Sequence, residues 1–302
     1  MNSRIPMLAG LIVVQLIVVA LFYLGGETTE DSTWLTVNTD EVTQVQISDG
    51  DATISVQRSD AGWQIEDYVA DEAKIVEVLD KLGAMQAAWP VATTSDTQQR
   101  FEVAEDNFQR RLVLMAGEST LVDMYLGTSP GYQRVHARLS ASDDIYSINL
   151  SNYELPTNID GWLDKAQLAV QETLTSVSVV PSNGEAHSLN SSDEGWLYNG
   201  AAANQDEAAT YANRFKSLRV LNIADADEWQ QAETQAEISI EWEGGAKTLT
   251  IAKLDEEYLI SVGQQYFKVA TYIAEQLLLN DIELAAASAE LEDLTSEPEQ
   301  ES

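Results

Sequence analysis

Val42-Thr43-Gln44-Val45-Gln46-Ile47 alternates apolar and polar side chains, the period of a strand with one buried face. A turn at Asp49-Gly50-Asp51 leads to a second strand at Thr53–Gln57, then to Gly62-Trp63 and a helix beginning near Asp71. The same order returns at Leu174-Thr175-Ser176-Val177-Ser178-Val179, with a turn at Asn183-Gly184, then Gly195-Trp196 and a helix near Asp206. Val45 precedes Trp63 by 18 residues, and Val177 precedes Trp196 by 19. Ile75, Val78, Leu79 and Leu82 share one face of the first helix; Ala208, Tyr211, Phe215 and Leu218 do so in the second. Asp71 and Glu72, like Asp206 and Glu207, suit the positive ends of those helices.

Strand patterns follow each helix: Phe108–Met115, Thr120–Leu126, Tyr132–Leu139 and Ile145–Leu150, then Ala236–Trp242, Lys247–Lys253, Tyr258–Val262 and Gln265–Val269. Gly244-Gly245 reads as a two-residue hairpin loop. Helix-like pieces, Ile159–Leu168 and Ala270–Leu279, close the copies. The expected fold is α+β: two tandem repeats, 34–170 and 171–284, each an antiparallel sheet packed on helices.

Outside this pair of repeats lies an apolar run of 18 residues, Met7–Leu24, interrupted only by Gln15. At helical rise it spans about 27 Å, near the hydrocarbon thickness of a bilayer. It is long for a signal-peptide core, and no small-x-small cleavage site precedes Gly25 and Gly26. Residues 1–24 are therefore expected to be a single transmembrane anchor in membrane lipid, with Arg4 placing the N-terminus in the cytoplasm. Residues 25–33 read as a tether and 285–302 as a disordered acidic tail.

The chain carries 50 acidic residues against 16 basic ones, a net charge of −34. That field repels nucleic acid and anionic headgroups, so nucleic-acid binding is not expected. An acidic surface with more Arg than Lys also fits a salty habitat. Without cysteine there are no disulfides, thiolate chemistry or lipoprotein processing, so stability rests on packing.

Catalytic signals are weak. Gly127-Thr128-Ser129-Pro130-Gly131 matches the nucleophile-elbow pattern, but a strand pattern follows where that motif needs a helix. Pro130-Gly131 instead suits the centre of a type II turn. Two isolated histidines, His136 and His187, make no convincing metal site, and the acidic turns lack a calcium-loop register. No catalytic residue, metal or cofactor is expected. Trp63 and Trp196 are expected in cores, with Trp89 and Trp162 packing between elements.

One cluster stands out. Arg134, His136 and Arg138 alternate onto one strand face, with Val135, Ala137 and Leu139 on the other. With Arg100, Arg110 and Arg111, five of the nine arginines fall within 39 residues. This cationic ladder reads as a docking face for a carboxylate-bearing partner, or as a set of internal pairs with Glu102, Glu105 and Asp106.

Trp89-Pro90-Val91-Ala92, Arg100-Phe101-Glu102-Val103, Asn107-Phe108-Gln109-Arg110-Arg111, Tyr125 through Tyr132, Val135-His136-Ala137-Arg138 and Trp162-Leu163-Asp164 together resemble the bacterial family called domain of unknown function 4340. The resemblance is densest from Trp89 to Lys165. It implies an inner-membrane protein with one N-terminal anchor and repeated α+β units outside the cytoplasm. It also implies a setting beside ABC transporters of the gliding-motility type, whose subunits become the expected partners. It transfers no catalytic residue. The expected role is a non-enzymatic accessory protein of the envelope, contacting its partner through Arg134, His136, Arg138, Arg110 and Arg111 or through strand edges. The alternative is a ligand- or glycan-binding module.

Overall fold

The computed structural model describes residues 34–35, 37–85 and 89–278. The expected anchor, tether and tail lie outside these residues; among the described ones no helix is long and apolar enough to cross a membrane. The fold is α+β, with two large antiparallel sheets and few helices.

The first series of elements is β1 (Gln44–Ser48), β2 (Thr53–Ser59), β3 (Gly62–Ile65), β4 (Tyr68–Val69) and helix α1 (Glu72–Gly83). A short helix α2 (Gln98–Phe101) and the pair β5 (Val103–Ala104) and β6 (Asn107–Phe108) come next. Four strands finish the series: β7 (Arg110–Ala116), β8 (Ser119–Leu126), β9 (Val135–Leu139) and β10 (Ile145–Ile148). The second series opens with β11 (Leu174–Pro181), β12 (His187–Ser192), β13 (Gly195–Tyr198), β14 (Ala201–Ala202) and α3 (Gln205–Lys216). It continues through β15 (Val220–Ile223), α4 (Ala226–Gln231), β16 (Glu233–Trp242), β17 (Gly245–Leu254), β18 (Glu257–Val262), β19 (Gln265–Val269) and α5 (Thr271–Leu277).

Read from β4, the first sheet runs β4-β3-β2-β1-β7-β8-β9-β10; the second runs β14-β13-β12-β11-β16-β17-β18-β19-β15. Eight positions correspond, and the second sheet adds a ninth strand. The described residues form two compact units: those up to Asp51 with Val76–Leu155, and Ala52–Ile75 with those from Pro156 onward.

The helices form where apolar spacing and caps agree. Ile75, Val78, Leu79 and Leu82 are all buried, and Asp71 Oδ1 accepts from Lys74 N at 3.0 Å. At α3, Asn204 accepts from Glu207 N at 3.3 Å, and Ala208, Tyr211 and Phe215 face inward. In the second unit they pack with Val177, Ile238, Leu249, Ile260 and Phe267 in one core. Each Val, Leu, Ile or Phe among them contributes about 1.5–3 kcal/mol through burial. In the first unit, Leu112, Leu114, Met124 and Leu126 are the corresponding buried row of β7 and β8.

Two local expectations shift. The hairpin loop between β16 and β17 is Glu243-Gly244, with φ 92° at Gly244, because Trp242 pairs with Gly245. A Cβ on Gly245 would meet the Trp242 indole at 2.6 Å, which fixes glycine there by close approach. The expected helix Ile159–Leu168 is only a 3-10 turn, Ile159–Gly161. Beyond it the chain leaves helical geometry, so that Leu163 bridges Ala70 and Asp71 N donates to Trp162 O at 2.7 Å.

Parts of the sheet edges are covered from within. On β4, Asp164 N donates to Val69 O at 2.9 Å; on β15, Val220 N donates to Lys165 O at 2.9 Å and Ile223 N to Asp160 Oδ1 at 3.1 Å. Thus one short stretch, Asp160–Lys165, occupies both edges. On β10, Val91 N donates to Ile145 O at 2.7 Å, and Ile145 N to Ala92 O at 2.8 Å. Beyond the end of β14, the Gln205 amide pairs with β13 in place of a strand: its Oε1 accepts from Trp196 N at 2.7 Å and its Nε2 donates to Trp196 O at 3.0 Å. Where an edge is occupied in this way it resists strand addition by other chains.

Candidate functional site

The ladder on β9 is not an exposed face. Arg138 is 5% exposed and His136 9%, while Val135 and Ala137 fill the opposite side. Both faces of this strand are therefore covered, and of the ladder only Arg134 stays exposed. The cover over the cationic side is the segment Gln98–Phe108. From it Phe101 meets the His136 ring edge-on with ring centres 4.5 Å apart, and Val103 O accepts from Arg138 Nε at 2.8 Å.

Register explains how the sheet tolerates a buried cation. Arg111 lies opposite Tyr125, and Tyr125 opposite Arg138, so one phenol ring is flanked by two guanidiniums at 5.4 and 4.9 Å. Arg138 Nη1 also donates to the carbonyls of Leu139, Ser140 and Ser142 at 3.2, 3.3 and 3.0 Å. Its role here is to tie the β9–β10 turn to the covering segment. Arg111 makes two parallel bonds to Asp123, each 2.9 Å. Those bonds hold the Asp123 carboxyl below its usual range against the opposing effect of burial, with help from the Arg138 charge. The His136 imidazole is shifted down by burial, and its Nδ1 lies 2.9 Å from Thr128 Oγ1.

Arg110 is directed inward as well, donating from Nε to Leu155 O at 2.9 Å and from Nη1 to Gln109 O at 2.6 Å, with Asp49 at 4.0 Å. Internal pairing thus accounts for Arg110, Arg111 and Arg138, but through backbone carbonyls, Asp123 and Asp49 instead of Glu102, Glu105 or Asp106. Glu102 and Asp106 instead accept from Gln109 and Gln99. Arg134 spans to β10, donating from Nε to Ser147 Oγ at 2.9 Å and from Nη2 to Ser147 O.

Ser129 sits in the loop between β8 and β9, where its hydroxyl lies 2.7 Å from the carbonyls of Gly131 and Arg134. A strand follows it. The turn itself is displaced from Pro130-Gly131: Arg134 N donates to Gly131 O at 3.3 Å, and Gln133 takes φ 51°. Gly127 opens the loop because a Cβ there would lie 2.0 Å from Phe101 O.

What the sequence pattern missed is aromatic. Tyr132 is 89% exposed, Tyr153 95% and Trp89 88%. Trp89, expected to pack between elements, instead stands in solvent beside the Val91–Ala92 contact with β10. Tyr132 shares its loop with Arg134, and Asn152, next to Tyr153, donates to Gly127 O at 2.9 Å. Val91 and Ala92, just after Trp89, pair with Ile145 at one end of β10, while Arg134 reaches Ser147 toward the other. The available signal was position: Trp89 precedes a proline and Tyr132 follows Pro130-Gly131, and turn residues lie on surfaces. Trp63 and Trp162 are buried as expected, and Trp196 packs partly buried against the second core.

A protein-family model described as a domain of unknown function (DUF4340) matches residues 65–237. No curated protein matches the chain, and no solved structure does.

Proposed function

We propose that this chain, which belongs to the DUF4340 family, is a non-enzymatic interaction protein of the bacterial envelope. In this reading Met7–Leu24 holds it in the inner membrane with the N-terminus cytoplasmic, and the two sheets descend from one duplicated α+β unit outside the cytoplasm. The border of β10 carries Trp89, Tyr132, Arg134 and Tyr153 to a protein partner, for which a subunit of an ABC-type transporter is the leading candidate. The observation supporting this is the exposure of Trp89, Tyr132 and Tyr153, together with the exposed Arg134 in the loop of Tyr132. Trp, Tyr and Arg are the residue types that dominate binding energy at protein interfaces. Aromatic side chains in solvent forgo burial worth a few kcal/mol each, which a partner restores.

The test is crosslinking in living cells from a photoreactive residue at Tyr132 or Trp89, with Tyr272 on the other sheet's closing helix as the comparison site. Transporter subunits captured from the first two positions alone would support the role and locate its face. Equal capture from Tyr272, or none from a correctly anchored protein, would end it.

A further inference from the structure

A second surface lies in the other compact unit. Thr53–Ser59, Gln64–Glu66 and Thr157–Ile159 enclose a groove of about 500 Å³. Register places Gln57 opposite Gln64 on one side of β2 and β3, Ser55 extends the same side by alternation, and Glu66 follows in the turn after β3 at φ 52°. Val56 and Ile65 point the other way into the core, so the groove floor is rigidly backed. The wall at 157–159 is also fixed, since Asn158 Oδ1 accepts from Gly161 N at 2.9 Å and so caps the following 3-10 turn.

The chemistry of this lining departs from that of the chain. Against a net charge of −34, the groove holds one acid, Glu66, and one base, Arg58; the other polar side chains are amides and hydroxyls. Arg58 is steadied with its guanidinium 5.0 Å above the Trp63 ring. Amides and hydroxyls each donate and accept, which matches a ligand whose own groups do both. Balanced charge gives no preference to an ion. The volume falls within the roughly 300–1,000 Å³ of small-molecule sites. We infer that the β2–β3 groove binds a neutral, polyhydroxylated ligand, a saccharide of one or two rings, held by the amides of Gln57, Gln64 and Asn158.

This site is independent of the β10 border, so either can fail alone. The experiment is ligand-observed saturation-transfer NMR on the full chain in lipid nanodiscs, with empty nanodiscs as background. The probes are N,N′-diacetylchitobiose and maltose, with glucuronate as the anionic comparison. Transfer to a neutral disaccharide is expected, weakened at least tenfold in the Gln57→Ala/Gln64→Ala pair and in Gln64→Glu, both with an unchanged circular-dichroism spectrum. No transfer to either disaccharide, transfer that survives the paired substitution, or preference for glucuronate would each overturn the assignment.

Discussion

The ninth position of the two sheets is filled in different ways. In the second sheet β15 pairs with β19 from Val220 to Ile223; in the first, among the described residues, the Ala92–Ile145 bridge stands beside β10. The corresponding strands β9 and β18 also differ in what they bury. In the first sheet Gln98–Phe108 lies over a cationic side of β9. In the second, β18 buries Tyr258, Leu259 and Ile260, an apolar set with Ser261. One strand order thus supports a polar buried layer in one copy and an apolar one in the other. A buried guanidinium contributes little net stability while intact but costs several kcal/mol when broken. The first sheet is therefore expected to be the more sensitive to charge and pH, and the second to volume.

The largest test addresses the apolar copy. Phe215→Ala, fully buried under α3, should cost about 3–5 kcal/mol in urea unfolding. A loss below 1 kcal/mol would mean that this core is not closely packed. Next, Arg138→Met leaves the carbonyls of Val103 and Ser142 without their donor and should cost about 2–4 kcal/mol. If it is silent, the covering segment is not held through Arg138.

The third test is pH. Burial favours neutral His136, so its folded pKa lies below its unfolded value of 6.5. The stabilisation from that preference is complete above the unfolded value and is lost as pH falls through the folded one. Unfolding midpoints should therefore drop from pH 7.5 to 5.5, and more steeply than in His136→Gln; parallel slopes would remove His136 from the account. Asp123, with its pKa lowered by Arg111, contributes stability that is lost only at still lower pH. Arg111→Ala should cost under about 1 kcal/mol, since that pair is partly solvated. Smallest of all, Trp89→Ala should change stability by less than about 0.5 kcal/mol while weakening partner capture, because its ring touches solvent. A large loss of stability there would return Trp89 to a packing role.

The strands and both amphipathic helices were legible because side-chain period reports which face is buried, and β1, β8, α1 and α3 each follow it. The fate of the ladder was not. Its alternation correctly separated Arg138 from Ala137, but alternation says nothing about a second cover. Here that cover is a four-residue helix and two two-residue strands, too short to carry a period. Trp89 was misread for the related reason that a large apolar ring predicts burial only where some element is available to bury it.

The stretch Asp160–Lys165 has a consequence for durability. Because it lines both β4 and β15, a single proteolytic nick inside it would expose two rows of backbone donors and acceptors at once. Such rows template cross-β association. A protein whose β4 and β15 edges are covered while intact would then become adhesive after one cut, and its cleaved form should precipitate under conditions where the whole chain stays in solution.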